Sequence, residues 1–422
     1  MLLYLKVNNC FIYDKDIEFS MRANMHQKRF MSNLLPVDKT NVLKSSIIFG
    51  PNNSGKTNFI RILKTIKSII LNGKFKLEKN LFNNNNICSF EIHFLDNKKE
   101  YSFEVKYDSF NKEYIYERFS EISYDKYKNI KIKNLVIRDT ENDFYCCDDD
   151  ELLLSVMKVS AKNNILIHLI DVNRFEKLKH IKDILISFAT KIDIVDMNNI
   201  PISKTIELLK KSDINKQKIV NFILNADVSL EDFKYLNDEE VKIELNIPED
   251  SIKAQENVLN VSSSFMDMLH LASIYKGKIV PSIVFDSTGT KKIAALASYV
   301  IDSLEKGRIL IVDELDNSLH FRITRAIIAL YNNELNNSAQ LISTVHDISL
   351  LDCQRLFRKD QIWFTHKDKD DVYLYPLTEF TSEKDGIRDT SALIEKYKQG
   401  VFGALPEPNL LNVLLEKGDI ND

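Results

Sequence analysis

Glycine is scarce in this chain, with 10 among 422 residues. Gly50, Gly55 and Gly73 come early, and the next is Gly277. The long glycine-free stretch between them has to turn without easy access to positive φ, so asparagine serves instead, as in Asn83-Asn84-Asn85-Asn86. Also missing is any apolar run near the ~18 residues that a membrane span needs. The first residues, MLLYLKVNNCFIYDKD, alternate like a strand and lack the cleavage pattern of a signal peptide, which leads us to expect a cytoplasmic protein. Neither sign of charge dominates. Against 57 basic residues stand 61 acidic ones, a net charge of −4, so no overall electrostatic footprint for nucleic acid exists, although a local basic groove stays open as a reading. The five cysteines, Cys10, Cys88, Cys146, Cys147 and Cys353, are odd in number and form no C-x-x-C pair. That argues against a disulfide framework and a zinc site, and fits a reducing compartment.

What is present reads as a globular α/β protein: 44% hydrophobic and 28% charged residues in a chain long enough for more than one lobe. FEIHFLD (90–96) and YSFEVKYD (101–108) alternate around Asn97-Lys98-Lys99, a hairpin signal. From about Glu151 to Asp232 the pattern turns helical, and VKIELNI (241–247) and IVPSIVF (279–285) then read as strands. Cys146-Cys147-Asp148-Asp149-Asp150-Glu151 reads as a solvated turn, and the lysines of 128–138 and 209–218 as solvated faces.

The glycines that do occur are concentrated where they count. Ser45-Ser46-Ile47-Ile48-Phe49 is a short buried strand, GPNNSGKT follows at 50–57, and NFIRILKTIKSIILNG has apolar residues at helical spacing closed by Gly73. Strand, G-x-x-x-x-G-K-[ST] loop and helix in that order are what a phosphate-binding loop requires. Loop N–H groups and the positive helix end surround a phosphate, Lys56 reaches the outer phosphates, and the Thr57 hydroxyl ligates Mg²⁺.

Such a loop needs a metal carboxylate and a water-orienting group before it can hydrolyse anything. RILIVDELDNSLH (308–320) supplies candidates: the apolar strand Ile309–Val312 ends in Asp313, expected on Mg²⁺, and Glu314, expected on the attacking water. In AQLISTVHD (339–347) a second apolar run ends at His346, placed to reach the γ-phosphate from the same sheet edge. Asp286-Ser287-Thr288-Gly289-Thr290 opens one more helix. Its plain reading is an N-cap at Thr290; its functional reading is a second anion site, sensible if the two sites come from different subunits.

With GPNNSGKTN at 50–58, DSTGTKK at 286–292, DELDNSLH at 313–320, STVHD at 343–347, QIWF at 361–364 and YKQGVFGALP at 397–406, the chain resembles the ATP-binding-cassette (ABC) class of ATPases. More closely it resembles the abortive-infection AAA-type ATPases, the RloA and AbiL group related to the OLD nucleases. The resemblance implies an ABC-type P-loop head, a mixed and mainly parallel sheet flanked by helices with a β-rich lobe. The head would span 1–150 and 236–422, with a helical insertion at 151–235. It implies that Gly50, Pro51, Asn52, Asn53, Ser54, Gly55, Lys56, Thr57 and Asn58 hold ATP, and that Thr57 and Asp313 hold Mg²⁺. Glu314 and His346 would be catalytic. A signature loop at Ser287 and Gly289 would reach the nucleotide of a second subunit, with a D-loop around Asn317 and Ser318. The signature is far from LSGGQ, and no Q-loop glutamine stands out. Little chain follows His346, so no nuclease domain is expected. The resemblance then implies a homodimer or higher homo-oligomer acting as a phage-triggered switch, with a separate nuclease or toxin effector encoded nearby. A DNA-repair ATPase acting on DNA, and a scaffold binding ATP structurally, are the alternatives.

Overall fold

A computed structural model describes residues 1–37, 40–73, 77–125, 127, 129–147, 150–211, 213–226, 229–245, 268–351, 355–368, 371–387 and 392–405. Lys128, Asp148, Asp149, Asn246, Ile247, Cys353 and Pro406, each part of a motif above, lie outside the described residues. Strands β1 (Leu2–Asn8) and β2 (Ile17–Ser20) pair, β3 (Leu34–Val37) and β4 (Thr40–Leu43) form a small hairpin, and β5 (Ser45–Phe49) leads into helix α1 (Lys56–Asn72). A meander follows: β6 (Ile87–Asp96), β7 (Lys99–Asp108), β8 (Glu113–Tyr124), β9 (Ile130–Asp139) and β10 (Phe144–Cys146). With β1 and β2 these make a seven-stranded antiparallel sheet in the order β10-β9-β8-β7-β6-β1-β2. The expected hairpin is present: Asn97 and Lys98 take φ of 47° and 66°, the left-handed pair that matches strand twist in a two-residue turn.

Next come α2 (Glu151–Val159), α3 (Leu166–Leu169), α4 (Glu176–Thr190), β11 (Ile192–Asp196), α5 (Ser203–Lys211), α6 (Asp213–Ala226), β12 (Asp232–Tyr235) and α7 (Asp238–Leu245). After the break lie β13 (Leu271–Tyr275), β14 (Lys278–Pro281), α8 (Ser282–Phe285), α9 (Thr288–Lys306), β15 (Ile309–Asp313), α10 (Phe321–Asn332), β16 (Gln340–Val345), β17 (Ile362–Asp368), β18 (Asp371–Pro376) and α11 (Leu393–Lys398). The second large sheet runs β11-β15-β16-β5-β17-β18, parallel throughout except for the antiparallel edge strand β18. The sheet is mixed and mainly parallel, as expected, and a β-rich antiparallel sheet accompanies it.

Alternation along the buried strands assigns the two faces. Ile48, Ile309, Ile311 and Ile342 face a core shared with α1, α4 and the antiparallel sheet, whereas Ile47, Phe49, Leu310, Val312 and Leu341 face α9, α10 and the C-terminal elements. Helix α1 is thus clamped between two sheets, with Phe59, Ile62, Leu63, Ile66 and Ile69 buried. That rigid seating holds its N-terminus in place.

Three expectations need correction. The span 151–235, read as a helical insertion, contributes β11 to the parallel sheet and α4 to the core around α1. A wholly helical insertion would leave one edge of β15 unpaired; α5, α6 and β12 instead pack with α9 in a separate apolar cluster. VKIELNI was expected as a strand, but its described part belongs to α7, because Asn237 and Glu240 form a reciprocal capping box: Glu240 N–H donates to Asn237 Oδ1 (2.9 Å) and Asn237 N–H to Glu240 Oε2 (2.8 Å). IVPSIVF splits at Pro281, which ends β14 and starts the short α8.

Candidate functional site

The loop from Gly50 to Gly55 joins the end of β5 to α1, and its shape depends on two residues with left-handed backbone, Asn53 (φ 61°) and Gly55 (φ 109°). Gly50 has no room for a side chain, since a Cβ there would lie 2.2 Å from Thr365 Oγ1 on β17. Thr365 also meets Ser54, hydroxyl to hydroxyl at 2.5 Å, and Tyr13 donates its phenol proton to the Gly55 carbonyl at 3.0 Å. The loop is therefore braced from the sheet and from the β1–β2 turn.

Lys56 is buried, and its ammonium donates to the carbonyls of Gly50 (2.6 Å) and Pro51 (2.9 Å), folding back across the loop. Burial pushes its pKa down to about 8, while the carboxylates of Asp313, Glu314 and Asp316 push the other way. Thr57, next along the helix, is exposed and lines a groove of about 440 Å³ that Asp313 also lines.

Parallel pairing puts the carboxyl ends of β15 and β16 alongside that of β5. Asp313 is buried and accepts a hydrogen bond from Thr344 Oγ1 at 2.6 Å, and the same Oγ1 accepts from Glu314 N–H at 2.7 Å. Glu314 has φ 55°, a strained position for a side-chain-bearing residue. Its Oε1 lies 3.5 Å from His346 Nε2. Asp316 receives the backbone N–H groups of His346 (2.8 Å) and Asp347 (2.6 Å), pinning the end of β16. Together Asn52, Asn53, Ser54, Gly55, Lys56, Thr57, Asn58, Glu314 and His346 enclose a polar cleft of about 260 Å³. Burial pushes the Glu314 carboxyl up, but hydrogen bonds from Asn198, Asn317 and His346 outweigh it and hold the group below its ordinary value.

A family profile described as "AAA domain, putative AbiEii toxin, Type IV TA system" matches residues 45–352. The chain belongs to that family. No curated protein matches it. Among solved structures, this AAA domain is similar to "SMC head domain from Thermotoga maritima" at 12% identity and a TM-score of 0.42, covering 89% of this chain and 98% of the other. It is also similar to an SMC head bound to the C-terminal winged-helix domain of ScpA, at 12% identity and a TM-score of 0.44, covering 91% and 99%.

Five expected residues of the AAA domain do not line the cleft: Gly50 and Pro51 lie at the start of its loop, Asp313 lines the neighbouring groove, and Ser287 and Gly289 lie elsewhere. Ser287 caps α9, its hydroxyl accepting from Thr290 N–H at 3.1 Å, so the cap is Ser287 and not Thr290. Gly289 packs on the turn after Glu314, where a Cβ would sit 3.0 Å from the Ser318 carbonyl. Neither lines the cleft of its own chain. Asn198, in contrast, went unnoticed in the sequence. It follows β11, and its Nδ2 donates to Glu314 Oε2 at 3.0 Å. No local signal marks it: Asp193 interrupts the run Ile192-Asp193-Ile194-Val195, unlike the unbroken Ile309–Val312 of β15. Among the described residues no group of three His, Cys, Asp or Glu side chains could hold a metal ion.

Proposed function

We propose that this AAA-family chain binds and hydrolyses ATP as the switch subunit of an anti-phage abortive-infection system of the RloA/AbiL kind. The observation that carries the reading is the cleft in which a phosphate loop from one end of the chain meets Glu314 and His346 from the other. Lys56 neutralises the outer phosphates, and loop N–H groups with the α1 N-terminus cradle the inner ones. The site fits Mg²⁺, which would be held by Thr57 and Asp313 with phosphate oxygens and water completing its shell, and which supplies charge neutralisation on the phosphates. Glu314, kept ionised, accepts the proton of the attacking water, and His346 orients the γ-phosphate.

Ser287 and Gly289, which do not line their own cleft, would meet the nucleotide of a second copy. A two-fold dimer would close on ATP and reopen after hydrolysis, and that two-state motion would gate a separate toxin or nuclease. A toxin–antitoxin setting accords with the family's description. Glu314→Gln keeps the fold and the binding groups but removes the base. It should lose at least about a hundredfold in turnover and sediment as a dimer in ATP, and cells carrying it with the native neighbouring gene should lose phage protection. Deleting the neighbour should do the same. Full protection by the variant would sink the switch, and DNA-stimulated hydrolysis with salt-dependent DNA affinity would move the reading to DNA repair.

The pKa of Lys56 adds a second expectation. With the free amine near 8 and the phosphate-bound amine held protonated, affinity should be full below about pH 8 and fall as pH rises past it. Isothermal titration with ATP from pH 7 to 9 would read this. Lys56→Arg, whose guanidinium stays charged throughout, should lose that dependence whatever its absolute affinity.

A further inference from the structure

The two oxygens of the Glu314 carboxylate are treated differently. Oε2 accepts two N–H groups, from Asn198 Nδ2 and from Asn317 Nδ2, both at 3.0 Å, while Oε1 is the oxygen facing His346. Asn317 Nδ2 also donates to Asn198 Oδ1 at 2.7 Å, closing a ring of two amides and one carboxylate. The carboxylate can only accept, so it turns the NH₂ of each amide toward Oε2, and a donor on the far side of Asn317 would hold that arrangement in place. Lys292, early in α9, does this. Its ammonium can only donate, and it sits 2.9 Å from Asn317 Oδ1 and 3.1 Å from Ser318 Oγ. With Oδ1 committed to Lys292, the NH₂ of Asn317 must point to Glu314 and Asn198. Asn198 must then present its carbonyl to Asn317 and its NH₂ to Glu314. One self-consistent arrangement results.

The geometry points to Lys292 and Asn198 as positioning residues, acting with Asn317 to lock Oε2 of Glu314 and leave Oε1 as the single working oxygen over the cleft. This rests on the reading of Glu314 as the base. The anchors come from different parts of the fold. Asn198 is delivered by the parallel pairing of β11 with β15, and Met197 N–H donates to the Asp313 carbonyl at 3.1 Å, fixing the loop that carries it. Lys292 is delivered by α9, the helix that Ser287 caps and that Gly289 lets approach the Ser318 carbonyl. A displacement at the start of α9 is therefore transmitted to the base through two hydrogen-bonded side chains.

Two variants of the full chain test this. Asn198 is exposed, so Asn198→Leu removes the amide without emptying a core, and Lys292→Met removes the ammonium while keeping the stem. Each should lower kcat roughly tenfold, the scale of losing a supporting hydrogen bond, with ATP affinity by equilibrium titration unchanged. With the carboxylate no longer held by Oε2, the loss should fall on kcat and leave KM for ATP near the parent value. Lys292→Arg should restore most of the rate. A merely structural role would lower kcat and ATP affinity together, and arginine would not rescue it. Parent-like rates in both variants, with Glu314→Gln inactive, would overturn the positioning role and leave the base assignment standing. Parent-like turnover by Glu314→Gln would remove the reading beneath it.

Discussion

Lys56→Ala should abolish nucleotide binding and turnover together, the largest functional loss of any single substitution in this chain. The ammonium is the one cation lining the cleft described above, and it comes already desolvated: it is 5% exposed and held by two loop carbonyls. A phosphate arriving there meets a charge whose interaction is little screened, so its loss should cost roughly 10²–10³ in rate or more. The contrast with Glu314→Gln is diagnostic. That variant should still bind ATP and stall, whereas Lys56→Ala should do neither. Circular dichroism should show the alanine variant folded, because Gly50 and Ser54 remain braced by Thr365 and Gly55 by Tyr13. Normal turnover by a folded Lys56→Ala protein would end the assignment of the loop.

Arg138→Met should be the most damaging change to stability. Arg138 on β9 is fully buried and pairs with Glu117 on β8, itself buried; it also donates to the carbonyls of Ala161 (3.0 Å) and Asn164 (2.8 Å). Glu117 in turn accepts from Leu166 N–H at 3.0 Å. Removing the guanidinium strands a carboxylate away from water and orphans two carbonyls, a loss of about 3–5 kcal/mol. Burial already pushes the Glu117 carboxyl up despite its partner, so without Arg138 it would take a proton to survive. Urea unfolding should show a lower midpoint at an unchanged slope, and Arg138→Met with Glu117→Leu should recover part of the loss. A parent-like midpoint in the single variant would mean that the pair contributes nothing net. Position makes the loss matter: the 160–168 segment it secures packs on the far end of α1, where His168 Nε2 lies 2.9 Å from the Ile70 carbonyl.

The features legible in the sequence were those whose cause is local. The phosphate loop declares itself because strand, glycines and helix follow one another, Gly73 caps the helix with φ 61°, and the Asn97-Lys98 turn needs only its own residues. The placement of Asp313 and Glu314 at the end of β15 was legible because an apolar run stops at them. The misread parts depend on distant partners or on competing local signals. VKIELNI alternates like a strand, but a four-residue capping box, Asn237 to Glu240, decides the matter. Nothing near residues 192–196 tells that they pair with residues 309–313. Asn198 was invisible for the same reason, since its meaning lies in a carboxylate over a hundred residues away. Ser287 and Thr290 were both able to cap, and only geometry chose between them.

The order of strands in the parallel sheet has a consequence for how the protein comes into being. Both neighbours of β5, the strand that leads into the phosphate loop, are β16 and β17, and these lie between Gln340 and Asp368. Thr365, which braces Gly50 and Ser54, arrives with them. The β6–β10 meander, by comparison, pairs between neighbours in sequence and can close by short-range contacts alone. A chain emerging from the ribosome thus carries this loop for some three hundred residues without either of its parallel-sheet neighbours. The Gly50–Gly55 loop therefore gains its sheet neighbours and its Thr365 brace only after more than four fifths of the chain has been made.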